Sequence, residues 1–141
     1  MNHILIADDE PSIGSLIEAT LQGPEVKTTH VTTGKAVLEA VRQKKFDLIV
    51  LDWMMPGMSG LDVVKALRKQ AETVSIPIIM LTARGQLKDQ EQAMQAGAHS
   101  YLMKPFSPLE LLEKIQKILK ERPADGADLV ALPAAKNMAA S

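Results

Sequence analysis

Four apolar runs in this sequence end in side chains that can do chemistry. Asp8-Asp9 follow Ile4-Leu5-Ile6-Ala7, and Asp52 follows Leu48-Ile49-Val50-Leu51. Thr82 follows Ile78-Ile79-Met80-Leu81, and Lys104 follows Tyr101-Leu102-Met103. Three carboxylates brought together repel one another, so the group needs protonation or a cation. Oxygen ligands without His or Cys suit Mg2+, which keeps several waters and often bridges carboxylates to a phosphate. A carboxylate can also accept a phosphoryl group as an aspartyl phosphate. That reaction asks for positioning and charge neutralisation more than for covalent machinery. A metal ion, Lys104 and the Thr82 hydroxyl would supply both.

These residues meet only if the apolar runs are neighbouring strands whose carboxyl ends share one edge, where open α/β sheets bind ligands. The strand candidates are 3–7, 25–31, 47–51, 77–82 and 100–103. The runs ending at Leu51 and Leu81 do not alternate with polar residues, which predicts burial on both faces of a parallel sheet. Segment 25–31 carries Lys27, Thr28, Thr29 and His30 and reads as an edge strand. Amphipathic stretches lie between the strands. Pro11 opens the first, and Gly23-Pro24 stops it. The second runs from about Gly34 to Lys44, and Gly97 closes a fourth at about 86–96. Ser59 with Asp62, and Ser107 with Pro108 and Glu110, resemble capping boxes for the third and fifth. In the fifth, Leu111, Leu112, Ile115, Ile118 and Leu119 form one stripe. The expected fold is α/β, a flavodoxin-like (βα)5 doubly wound parallel sheet in the strand order 2-1-3-4-5.

Composition narrows the classes further. The 141 residues suit one domain, and 46% hydrophobic content supplies its core. The absence of cysteine excludes a disulfide framework, a thiolate metal site and a cysteine nucleophile. A net charge of −1 gives no electrostatic reason to expect direct nucleic-acid or membrane binding. The acidic turn at Asp8-Asp9-Glu10 is unlike a signal peptide, so a cytoplasmic location is expected. The domain is expected over 1–122, followed by an Ala/Pro-rich tail or linker over 123–141.

Four segments carry a family resemblance: Asp8-Asp9-Glu10, Asp52-Trp53-Met54-Met55-Pro56-Gly57 continuing to Gly60, Leu81-Thr82-Ala83, and Tyr101 through Lys104-Pro105-Phe106. In this order and spacing the chain resembles the response-regulator receiver domains of two-component signalling. The resemblance implies a phosphoacceptor switch rather than an enzyme with an external substrate. It implies Asp52 as the phosphorylated residue. Asp9, Asp52 and the Met54 backbone carbonyl would hold Mg2+, with Asp8 acting through water. Lys104 would bind the phosphoryl group, and the Lys104-Pro105 bond would be cis. Thr82 and Tyr101 match the switch pair, whose movement would alter the surface of the fourth helix, fifth strand and fifth helix. A sensor histidine kinase or histidine phosphotransfer protein would be the donor, docking on Ile13, Gly14, Ile17, Pro105 and Phe106. A downstream protein effector would read the output.

Two local features refine this expectation. The wording is closest to the DNA-binding transcription-factor branch, making a fragment of a larger regulator the alternative. That branch has two acids where this chain has His99-Ser100, and an arginine in place of Lys114, so a monomer or weak dimer is expected. Met54 and Arg84 occupy the positions that border water's approach to the acyl phosphate, and neither favours hydrolysis. A haloacid-dehalogenase-like phosphatase would need an aspartate at position 54. The sequence has no P-loop, and His3, His30 and His99 are too scattered for a zinc site or catalytic triad.

Overall fold

Ile49 and Leu51 point to one face of the sheet while Leu48 and Val50 point to the other, and all four are fully buried. This two-sided burial explains their unbroken apolar run. The computed structural model describes residues 2–21, 23, 25–83 and 87–121. In chain order the elements are β1 (Asn2–Ala7), α1 (Pro11–Leu21), β2 (Val26–Val31), α2 (Gly34–Gln43), β3 (Leu48–Asp52), α3 (Gly60–Leu67), β4 (Ile78–Thr82), α4 (Leu87–Ala96), β5 (Ser100–Met103) and α5 (Pro108–Glu121). The strands pair in parallel in the order β2-β1-β3-β4-β5, as the sequence predicts.

Two apolar layers sandwich the sheet. On one face, Leu5, Ile49, Leu51, Ile78 and Met80 meet Val37, Val63, Val64, Leu67 and Ala93 from α2, α3 and α4. On the other, Ile4, Ile6, Val50, Ile79 and Leu81 meet Ile17, Leu21, Leu111, Ile115 and Ile118 from α1 and α5. Each fully buried aliphatic side chain contributes about 1.5–3 kcal/mol of transfer free energy. Both expected capping residues are in place. The Ser59 hydroxyl accepts from the Asp62 amide at 3.2 Å, and the Ser107 hydroxyl accepts from the Glu110 amide at 3.4 Å. The more polar β2 is an edge strand, as its composition indicates.

Two glycines bring backbone close to the carboxyl edge. A Cβ at Gly60 would overlap the Asp52 carbonyl oxygen, so only glycine lets α3 begin directly against the end of β3. A Cβ at Gly14 would overlap the His30 imidazole, which lies beneath α1. No described helix is long and apolar enough to cross a membrane. The expected tail, 123–141, lies outside the described residues.

Candidate phosphoacceptor site

Parallel pairing carries β1, β3 and β4 to the same edge, delivering Asp8, Asp9, Asp52 and Thr82 there. The Trp53 amide donates to the Leu81 carbonyl at 2.8 Å, and the Lys104 amide donates to the Thr82 carbonyl at 2.8 Å. These bonds extend the strand register into the loops bearing the site. The Lys104-Pro105 peptide is cis, as the family resemblance implies.

Asp8 is fully buried and Asp52 is 3% exposed, whereas Asp9 faces solvent. Asp8 Oδ1 accepts from the Glu10 amide at 2.8 Å, and Asp52 Oδ1 accepts from the Met54 amide at 3.3 Å. Lys104 Nζ lies 3.2 Å from Asp8 Oδ2 and 3.2 Å from Asp52 Oδ1. Glu10, outside the expected set of site residues, reaches the same ammonium at 3.8 Å. His30 Nε2 donates to the Asp8 carbonyl at 3.1 Å, tying β2 to this loop.

The charges are incompletely balanced. Burial, followed by repulsion from Asp8, raises Asp52 to about 6 against the opposing pull of Lys104. Burial pushes Lys104 down, but the Asp52 and Asp8 carboxylates together outweigh it and leave the ammonium raised. A carboxylate oxygen from each of Asp8, Asp9 and Asp52 lies within 4.8 Å of the others. This all-oxygen set, with one ligand open to water, fits a small hard cation such as Mg2+.

Tyr101 and Thr82 stand on neighbouring strands. The register pairs Tyr101 with Met80 and Thr82 with Met103, so the tyrosine is set back from the edge by two residues. Thr82 is buried, and the half-buried tyrosine packs against the α2, α3 and α4 layer. Its hydroxyl donates to Gln90 Oε1 on α4 at 2.7 Å, a partner outside the expected site residues.

The expected docking residues divide. Ile13, Pro105 and Phe106 line a groove of about 430 Å³ beside Lys104. Ile17 is 0% exposed in the α1–α5 core, which corrects its expected place on the docking surface. Gly14, on the same helix, is also buried. Leu16, 40% exposed and absent from the sequence-based set, supplies the groove's other α1 contact. Arg84 lies outside the described residues.

A family model described as the response regulator receiver domain matches residues 4–116. The chain belongs to the response regulator receiver domain family. Receiver domains of two-component response regulators are phosphoacceptor signalling domains rather than metabolic enzymes. The chain is 36% identical over 129 residues to the DNA-binding response regulator MtrA of Mycolicibacterium smegmatis, covering 92% of this chain and 55% of that protein. It is 38% identical over 117 residues to the phosphate regulon transcriptional regulatory protein PhoB of Pseudomonas aeruginosa, covering 83% of this chain and 51% of the relative. The chain thus spans about half the length of these curated relatives. Among solved structures, it resembles the receiver domain of sensor histidine kinase PA1611 from Pseudomonas aeruginosa, described with magnesium coordinated in its active-site cleft. That match has a TM-score of 0.77 and 31% identity, covering 85% of this chain and 98% of the other chain.

Proposed function

We propose that this receiver domain accepts a phosphoryl group from a histidine kinase or histidine phosphotransfer protein onto Asp52. The observation that carries the reading is the single Lys104 ammonium between the Asp8 and Asp52 carboxylates. With its value at about 6, Asp52 is mainly ionised at neutral pH and therefore nucleophilic. One of its oxygens bonds to phosphorus as the phosphorus–nitrogen bond to the donor histidine breaks. The imidazole nitrogen keeps that electron pair. Lys104 pairs with a phosphoryl oxygen, and the Thr82 hydroxyl donates to another.

Asp9, Asp52 and the Met54 carbonyl would hold Mg2+, with Asp8 acting through water. The ion would supply positive charge for the phosphoryl oxygens and offset repulsion among the carboxylates. The PA1611 receiver domain, described with magnesium in its cleft, supports this choice of ion. Groove residues Ile13, Leu16, Pro105 and Phe106 would receive the donor protein. Movement of Thr82 and Tyr101 would pass the signal to a downstream protein effector. The cytoplasm is the proposed location, and the isolated domain is proposed to be a monomer or weak dimer.

The half-length match to MtrA and PhoB favours a second reading, in which this receiver domain is the regulatory segment of a longer transcriptional regulator. Both readings use the same site, and neither assigns DNA contact to residues 4–116. The test is to follow Trp53 fluorescence during incubation with a small-molecule phosphodonor, with Mg2+ and with chelator. Trp53 is the sole tryptophan and directly follows Asp52. A Mg2+-dependent change that is lost in Asp52→Asn is expected; a change that persists in that variant contradicts the proposal.

A further inference from the structure

Building on the proposed Thr82–Tyr101 switch, we infer that Gln90 is a latch holding Tyr101 on α4 in the unphosphorylated protein. The Tyr101 hydroxyl donates to Gln90 Oε1 at 2.7 Å, and both side chains are half-buried. In the β4–β5 register, Thr82 stands two residues beyond Met80, the residue paired with Tyr101. The ring cannot turn toward Thr82 while its hydroxyl keeps this partner.

The helix that carries the latch is tied down at its C-terminal end. Arg68 at the end of α3 donates from Nε to the Gly97 carbonyl at 2.9 Å, immediately beyond α4. Its Nη1 also donates to the Val74 carbonyl at 2.9 Å, tying the end of α4 to the loop before β4. Gln90 lies in the first turn of α4, at the end away from this anchor, and its bond to Tyr101 is a side-chain link from β5 to that turn. Gln90 is open enough for water to replace the hydroxyl, so the latch has the modest net strength of one exchanged hydrogen bond. That corresponds to about a fivefold bias in a two-state equilibrium. By linkage, removing the bias tightens binding of a phosphoryl mimic by up to the same factor.

The chain contains a single tyrosine, so fluorotyrosine incorporation yields one 19F resonance assignable to Tyr101. Beryllofluoride with Mg2+ is the phosphoryl mimic, and its binding is read independently by Trp53 fluorescence. Gln90→Leu removes the acceptor, whereas Gln90→Glu retains a side-chain oxygen. Ligand-free Gln90→Leu should move the 19F resonance toward the beryllofluoride-bound wild-type position and tighten binding by up to about fivefold. Gln90→Glu should remain close to wild type. Wild-type behaviour in Gln90→Leu, for both resonance and affinity, overturns the latch alone. A wild-type resonance that does not respond while Trp53 reports binding overturns the moving-tyrosine reading and the latch with it.

Discussion

Lys104 Nζ lies 3.2 Å from Asp52 Oδ1 while keeping the same distance to Asp8 Oδ2. One ammonium therefore compensates two carboxylates that the strand register brings together. Lys104→Met should leave both acids without their cation and destabilise the metal-free protein by about 1–3 kcal/mol, less than a fully buried pair because the lysine is partly exposed. Thermal melts in chelator should show the loss. Added Mg2+ should raise the melting temperature of the variant more than that of wild type.

The Asp52 carboxyl gives a pH dependence of defined sign. Its value rises from 3.8 to about 6 on folding, so its contribution favours the folded state at low pH. That contribution is present below about pH 4 and is lost as pH rises through about 6. In chelator near neutral pH, Asp52→Asn should therefore be more stable than wild type, by about 1–3 kcal/mol. Urea unfolding across pH should show the difference closing as the solution is acidified.

Gly14 and His30 make a packing prediction. The imidazole occupies the space that a Cβ at position 14 would need. Gly14→Ala gains helix propensity but overpacks this contact, giving an expected net loss of about 1–2 kcal/mol. The test is a double-mutant cycle by chemical denaturation. Adding His30→Ala should recover most of the packing loss, despite removing the hydrogen bond to the Asp8 carbonyl.

The rim of the site gives a prediction for the lifetime of the proposed signal. The Met54 side chain is 59% exposed, and its amide donates to Asp52 Oδ1. A thioether is a weak acceptor and orients an attacking water poorly. Met54→Asn should speed phosphoryl loss several-fold, the effect of one added hydrogen bond to water. Phosphate release from the purified phosphorylated proteins checks this expectation. An unchanged or slower rate contradicts it.

The fold and the charged centre are legible because each leaves a one-dimensional signal. Runs such as Leu48-Ile49-Val50-Leu51 mark strands buried on both faces, and the residue ending each run sits at the carboxyl edge of the sheet. Asp8, Asp52, Thr82 and Lys104 are found by that rule. The misplacement of Ile17 has a different cause. Leu16 and Ile17 are both apolar neighbours on α1, and the rotation of that helix against α5 decides which is buried. Gln90 leaves no local mark, since its bond to Tyr101 joins two elements through long side chains. The His30–Gly14 contact likewise depends on how α1 lies over β2.

Localising the phosphoryl group tests the central claim most directly. The protein is incubated with Mg2+ and a small-molecule phosphodonor, the acyl phosphate is trapped by borohydride reduction, and the modified peptide is sequenced by mass spectrometry. One modified residue, Asp52, is expected, with no trapped product in chelator or in Asp52→Asn. Trapping at Asp8 or Asp9, or equal uptake by Asp52→Asn, would contradict the account.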